Sequence, residues 1–181
     1  LLHRWLTAAK LFHITLLALG TLCGLYGLFA GSGAPLVEQL SCTWLHELTF
    51  ALRLDVLARI FLVPILLLAP VLGLYGYHYL HHREQALRIV ASHFFFALLL
   101  IAMVGVTLAD NMLSFALAWE LMSLASFFLV LFDWEKQTVQ EAGLRYLLFT
   151  QGGALCVFAA FGLLYSASGS LGFAGLAALP Q

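Results

Sequence analysis

The chain has 181 residues and a formal net charge of −1, and its composition excludes an ordinary soluble domain. Hydrophobic residues make up 63% of it and charged residues only 9%, whereas soluble domains carry about 25% charged residues. The near-neutral charge and the lack of a basic patch give no indication of nucleic-acid binding. The composition therefore predicts a single all-α integral membrane domain over residues 1–181.

Repeated apolar runs predict the membrane-spanning segments, because a helix needs about 20 mostly apolar residues to cross a bilayer. Five transmembrane helices are expected, at residues 8–30, 56–80, 92–109, 112–132 and 142–166. The segment 31–55 between the first two is more polar. Its stretch TFALRLD (49–55) partly alternates apolar and polar residues, which favours a short hairpin at the membrane surface.

The distribution of Lys and Arg predicts the orientation of these spans. With five spans, six of the eight basic residues fall on the side of residue 1 and two on the opposite side. The six are Arg4, Lys10, Arg83, Arg88, Lys136 and Arg145, and the two are Arg53 and Arg59. Because cytoplasmic loops carry the excess of Lys and Arg, residue 1 is expected in the cytoplasm and the hairpin segment outside.

The fourth span contains one ionisable side chain, Glu120, almost at its middle. A carboxylate at that depth costs about 2.5–3.5 kcal/mol on insertion scales, and no residue within one helical turn supplies a charge partner. Glu120 is therefore expected either to be protonated or to face a polar interior. Ser123 and Ser126 lie one and two turns further on and are candidate polar neighbours. Ion or proton handling is the default interpretation of such a residue.

His78, His81 and His82 lie together at the far end of the second span and are candidate metal ligands. Their spacing would allow two of them to bind one ion, but no Cys or second His pair completes a ligand set. The sequence therefore predicts an interfacial segment with titratable groups and no metal site. No flavin or nucleotide motif is present either, so no cofactor is expected.

Several motifs resemble those of a known family. They are RLD (53–55), LADN (108–111), WELMSL (119–124), LRYLLFTQGG (144–153) and SGSLGFAGL (168–176). In this order they resemble the antiporter-like subunits of respiratory complex I, of Mrp-type cation/proton antiporters and of membrane-bound hydrogenases. The similarity is greatest to the hydrogenase-4 and formate hydrogenlyase membrane subunits.

The resemblance implies that residues 1–181 are the N-terminal portion of a chain of about fourteen helices, built around two inverted repeats. Glu120 matches the essential glutamate of the family, which pairs with a lysine on a later, broken helix. Arg145 matches a position that is often basic in the family. Gln151 stands where Arg or His is often found, which leaves open whether a polar relay passes through that point.

The resemblance also implies a bacterial inner-membrane location and partners among the other membrane subunits of a redox-driven complex. Such a chain would be a non-catalytic membrane subunit, although the sequence leaves enzyme activity open.

Three functions are considered. The first is proton or cation translocation through Glu120. The second is a structural or assembly subunit in which Glu120 is a buried packing residue. The third is a quinone-reactive enzyme that uses the histidines at 78–82.

Overall fold

Five long helices make up most of the protein. The computed structural model describes residues 2–30, 42–45, 48–79 and 86–176. The helices are α1 (Leu2–Ala30), α2 (Val56–Tyr79), α3 (Ala86–Leu108), α4 (Met112–Val130) and α5 (Gln137–Ser168). Each is long and apolar enough to cross a membrane. The expectation of an all-α membrane domain with five spans is therefore confirmed.

Three helices begin earlier than the hydropathy pattern predicts. Helix α1 starts at Leu2 rather than at residue 8, α3 at Ala86 rather than at residue 92, and α5 at Gln137 rather than at residue 142. Polar side chains in the first turns of α3 and α5 pair with neighbours. The Gln137 amide donates to the Glu141 carboxylate at 3.1 Å, one turn along α5, and Arg88 forms an ion pair with Glu135. Such pairs stabilise helical turns beyond the apolar part of a span.

The expected hairpin is present between α1 and α2. Strand β1 (Cys42–Leu45) pairs antiparallel with β2 (Leu48–Phe50), with Thr43 opposite Thr49. Residues 31–41 and 46–47 of the same segment lie outside the described residues. After the hairpin, the Asp55 carboxylate accepts from the Ala58 amide at 2.7 Å and caps the start of α2.

The hairpin is tied to the start of α4 by two buried polar side chains, those of Asn111 and Ser114. Asn111 Oδ1 accepts from the Ser114 amide at 2.7 Å and so caps α4, while its Nδ2 donates to the Thr49 carbonyl at 2.5 Å. Ser114 Oγ accepts from the Ala51 amide at 2.8 Å. Together with the ion pair between Arg53 and Asp110, at 3.0 Å, these contacts form what we call the α4 clasp.

Backbone hydrogen bonds extend the α4 clasp to the chain that follows α5. The Asp110 amide donates to the Ala51 carbonyl at 2.9 Å, and the Met112 amide donates to the Leu171 carbonyl at 2.9 Å. Helix α5 ends at Ser168 and is capped by Gly169, whose φ of 67° is a left-handed conformation that glycine adopts readily. A short helix, α6 (Phe173–Leu176), follows. The first residues of α4 are thus held by the hairpin and by the segment after α5.

Helix α4 packs antiparallel between α3 and α5. On the α3 side, Phe128 stacks on Phe95 with ring centroids 4.5 Å apart. On the α5 side, Phe115 meets Phe161 edge to face at 5.6 Å. The buried Ala125 shows that small residues allow close approach along α4. The position of α4 therefore determines which of its side chains face α5.

Replacing Asn111 by Ala should destabilise the protein. The change removes the N-cap of α4 and leaves the Thr49 carbonyl without its donor, so we expect a loss of about 1–3 kcal/mol in unfolding free energy. Thermal denaturation of the intact protein in detergent measures it. Ser166→Ala is the matched control, because Ser166 is exposed and its hydroxyl donates to the Leu163 carbonyl of its own helix. Equal stability of the two variants would contradict the role assigned to Asn111.

Candidate functional site: an intramembrane carboxyl between α4 and α5

Glu120 lies in the middle of α4 and is half-buried on the side that faces α5. Gln151 of α5 provides its hydrogen-bond donor, with Gln151 Nε2 2.9 Å from Glu120 Oε2. The two residues are 31 positions apart, so this partner lies outside helical reach and depends on the antiparallel packing of α4 and α5. The structure therefore brings together two of the site residues that the sequence singled out.

The chemistry of this pair differs from that of an ion pair. A carboxamide is neutral, and it donates a hydrogen bond to a carboxyl oxygen whether the acid is ionised or protonated. Within the described residues, no Lys, Arg or His lies at salt-bridge distance from Glu120. Gln151 thus satisfies one oxygen of Glu120 without compensating a negative charge. A cation from elsewhere would still be needed to stabilise the ionised form.

A second interhelical contact lies two turns further along α4. Ser126 Oγ is 2.5 Å from Tyr146 Oη on α5. Ser126 Oγ also lies 2.8 Å from the Met122 carbonyl, which accepts only, so the serine donates there and Tyr146 donates to the serine. Six residues separate Ser126 from Glu120, or about 9 Å along a helix.

Ser123 lies between these two contacts. It is buried, and its Oγ has no hydrogen-bond partner among the described residues. Glu120, Ser123 and Ser126 thus follow one another toward the end of α4 that lies away from the clasp, and Gln151 and Tyr146 of α5 face the first and last of them. We call these five residues the polar seam. It contains one ionisable carboxyl, one amide and three hydroxyl groups along the contact between α4 and α5.

Arg145 does not join the polar seam. It is exposed on α5 and makes no hydrogen bond or ion pair with the part of the chain that the structure describes. Phe149, one turn further on, is 83% exposed, so this face of α5 is uncovered.

Of the histidines considered as metal ligands, His81 and His82 lie outside the described residues, as does the side chain of His78. Elsewhere, no group of three or more His, Cys, Asp or Glu converges in the ranges that the structure covers. The expectation that residues 78–82 form an interfacial segment therefore remains a prediction.

Tyr146 is the seam residue that the sequence analysis missed. A tyrosine within an apolar run is usually a packing residue, and nothing local distinguishes this one. The signal that would have found it is the antiparallel register. Once Glu120 is paired with Gln151, a step of six residues along α4 to Ser126 corresponds to a step of about six residues back along α5, close to Tyr146.

Comparison with known proteins shows which family this chain resembles. Residues 109–180 match the family described as NADH:quinone oxidoreductase/Mrp antiporter, TM. The chain is also 34% identical over 128 residues to Hydrogenase-4 component B of Escherichia coli, an alignment that covers 71% of this chain and 19% of that protein. The resemblance to antiporter-like subunits is thereby confirmed. The matched region includes Glu120, Arg145 and Gln151.

Two further matches extend the comparison of this antiporter-like chain. A putative antiporter subunit mnhA2 of Staphylococcus aureus is 28% identical over 132 residues, covering 72% of this chain and 16% of that protein. A solved chain of the membrane-bound sulfane sulfur reductase, an archaeal respiratory membrane complex, superposes with a TM-score of 0.66 at 22% identity. It covers 93% of this chain and 28% of the other, and shows a shared fold.

These comparisons and the five apolar helices together show a multi-pass membrane protein. The antiporter-like chain spans 19% and 16% of the length of the two curated relatives. The activity of a complete protein is therefore treated below as a proposal.

The hydrogen bond between Glu120 and Gln151 should couple the two residues energetically. Gln151→Leu should lower the unfolding free energy by about 1 kcal/mol, because the Glu120 carboxyl loses its donor. In a Glu120→Leu background the same change should cost almost nothing, since no carboxyl remains to be satisfied. Thermal unfolding of the four proteins of this double-mutant cycle measures the coupling. Purely additive costs would show that the contact contributes nothing.

Proposed function

We propose that this chain is part of an antiporter-like membrane subunit that moves protons, or another cation, in a complex I-, Mrp- or hydrogenase-like assembly. Glu120 is the group that takes up and releases the proton. The observation that carries the proposal is a half-buried carboxyl between two apolar helices whose only described hydrogen-bond partner is the neutral side chain of Gln151. The family match over residues 109–180 supports it independently.

The proposed mechanism rests on the cost of charge within a membrane. Ionised Glu120 is unfavourable there unless a cation lies close, and the protonated form is favoured when the cation is distant. Gln151 donates to either form, so it holds the side chain in place while the proton comes and goes. The lysine that the family resemblance implies would supply the moving charge. Its approach would drive the proton off Glu120, and its departure would favour reloading.

The polar seam supplies a route between Glu120 and one membrane surface. Ser123, Ser126 and Tyr146 lead from the carboxyl toward the end of α4 opposite the clasp, which the distribution of Lys and Arg predicts to be cytoplasmic. Hydroxyl groups both donate and accept, so they can pass a proton by exchanging hydrogen bonds. Gaps of several ångströms along the route would be bridged by water. In this proposal Tyr146 and Ser126 position the bridging water that donates the proton, and Glu120 receives that proton.

The proposed assembly contains partner subunits that carry out redox chemistry. The chain carries no sequence motif for a redox cofactor, so the driving energy would come from redox chemistry in partner subunits of the same membrane complex. The bacterial inner membrane is the proposed location, with residue 1 on the cytoplasmic side. Hydrogenase-related assemblies, including those of the formate hydrogenlyase type, are the class that the sequence motifs favour.

One observation also favours a second function, that of a structural subunit without transport of its own. A carboxyl that is satisfied by a neutral amide can serve simply as an interhelical hydrogen bond that holds α4 against α5. In that case Glu120 would stay protonated. A glutamine in its place would then preserve both the packing and whatever activity the assembly has.

Glu120→Gln in the complete protein separates the two functions. The substituted amide keeps the size and polarity of the side chain but cannot release a proton, so we expect coupled proton movement to fall to background while assembly is retained. Proton uptake by proteoliposomes that contain the intact complex measures coupled proton movement. The yield of assembled complex measures assembly.

Glu141→Gln is the matched control for that experiment, because Glu141 is an exposed carboxylate in the first turns of α5 that pairs, within the described part of the chain, with Gln137 alone. It should transport normally. Full transport by the Glu120→Gln protein would overturn the proposed function and favour the structural one.

Tyr146→Phe tests the route. It removes only the hydroxyl that contacts Ser126, so we expect transport to slow by about tenfold while thermal stability changes by about 1 kcal/mol or less. Tyr165→Phe is the control, since Tyr165 is a partly exposed tyrosine near the clasp end of α5. Initial rates of proton uptake measure both. Equal rates in the two variants would exclude Tyr146 from the route.

A further inference from the structure

Two histidines from different helices meet at a distance from the polar seam. The rings of His13 on α1 and His93 on α3 contact each other edge to face, with centroids 4.8 Å apart and planes at 86°. His13 is near the start of the apolar span Leu11–Phe29, and His93 is near the start of the span Leu87–Leu108. The pair therefore lies within a few turns of one membrane surface, on the side away from the α4 clasp.

A backbone contact determines the tautomer of His93. Its Nδ1 lies 2.7 Å from the carbonyl oxygen of Ile89, one turn earlier in α3. A carbonyl only accepts hydrogen bonds, so Nδ1 carries the hydrogen and Nε2 of the neutral ring presents a free lone pair. Ile89 is itself almost fully buried, which holds this contact in place.

One further nitrogen of each ring is buried without a partner among the described residues. Nε2 of His93 and Nε2 of His13 are both inaccessible to solvent, and neither makes a hydrogen bond within the described ranges of the chain. Buried polar atoms nearly always have a partner, and an isolated buried one is costly. Two such nitrogens on rings in direct contact point to a ligand that both can bind.

We propose that His13 and His93 bind one divalent transition-metal ion of the Zn²⁺ class through their Nε2 atoms. An imidazole that donates its Nδ1–H to a backbone carbonyl while its Nε2 is free has the arrangement that histidine ligands show in metal sites. Imidazole nitrogen favours Zn²⁺, Cu²⁺ and Ni²⁺, whereas Mg²⁺ and Ca²⁺ favour oxygen ligands. The protein supplies two ligands, and an ion that enters from the nearby surface would bring the water molecules that complete its coordination.

This site is independent of the proposed transport function. The stacked rings of Phe95 and Phe128 set the register of α3 against α4, which places His93 level with about residue 130. Ten residues separate that level from Glu120, or about 15 Å along the helix axis. A metal ion there would tie α1 to α3 without touching the polar seam. Loss of metal binding and loss of transport are therefore separable results.

Metal analysis of the native protein tests the site without any substitution. The intact complex is stripped of metal with a chelator and incubated with Zn²⁺ or with Zn²⁺ and excess Mg²⁺, bound Zn²⁺ is quantified by elemental analysis, and its ligands are determined by X-ray absorption spectroscopy. Zn²⁺ with two imidazole ligands should bind, and Mg²⁺ should not displace it. No bound Zn²⁺ with two imidazole ligands would overturn the proposal.

Substitutions then test whether the two histidines act as one site. His78, His81 and His82 are first changed to Gln, because that cluster could bind Zn²⁺ separately. In this background, His13→Gln and His93→Gln should each weaken Zn²⁺ binding by at least about tenfold, and the loss in the double variant should be smaller than the sum of the two single losses in free energy. His46→Gln is the control. Unchanged Zn²⁺ affinity in either single variant would show that no shared site exists.

Discussion

The buried side chain of Asn111 determines where α4 begins, and the position of every residue along α4 depends on that start. Successive residues of a helix are about 100° apart, so a shift of one residue would turn Glu120 away from α5 and toward lipid. Asn111 prevents the shift because its two polar atoms cap α4 and hold the hairpin at the same time. Ser114 reinforces the contact through the Ala51 amide. The placement of the intramembrane carboxyl thus depends on a polar clasp at the membrane surface.

The contact that this placement creates gives Glu120 a donor but no countercharge. An arginine at the position of Gln151 would favour the ionised acid permanently, and an apolar residue would favour the protonated acid permanently. The neutral amide does neither, so the protonation of Glu120 remains sensitive to a charge that can move. Arg145 offers no alternative within the described residues, because it lies exposed on α5 away from the seam. A proton-translocating role depends on this sensitivity, whereas a structural role does not.

Hydropathy was sufficient to predict the five helices and the position of Glu120 within the fourth, because bilayer thickness constrains helix length so strongly. The helix starts at Ala86 and Gln137 were missed because polar pairing, which hydropathy does not register, extends both helices. The contacts of Gln151 and Tyr146 depend on the register between α4 and α5, and that register arises from tertiary packing. The contact between His13 and His93 could not be predicted for the same reason, since His93 is on a helix that begins more than 70 positions further along the chain.

In the proposed function, Glu120 changes protonation during turnover. Infrared difference spectroscopy of the intact complex tests this most directly, because the carbonyl stretch of a protonated carboxyl in an apolar setting is separate from that of an ionised one. We expect a carboxyl band that appears or disappears between resting and energised states and is missing from the Glu120→Gln protein. Identical difference spectra from the two proteins would mean that Glu120 keeps one protonation state, which would contradict the proposed function.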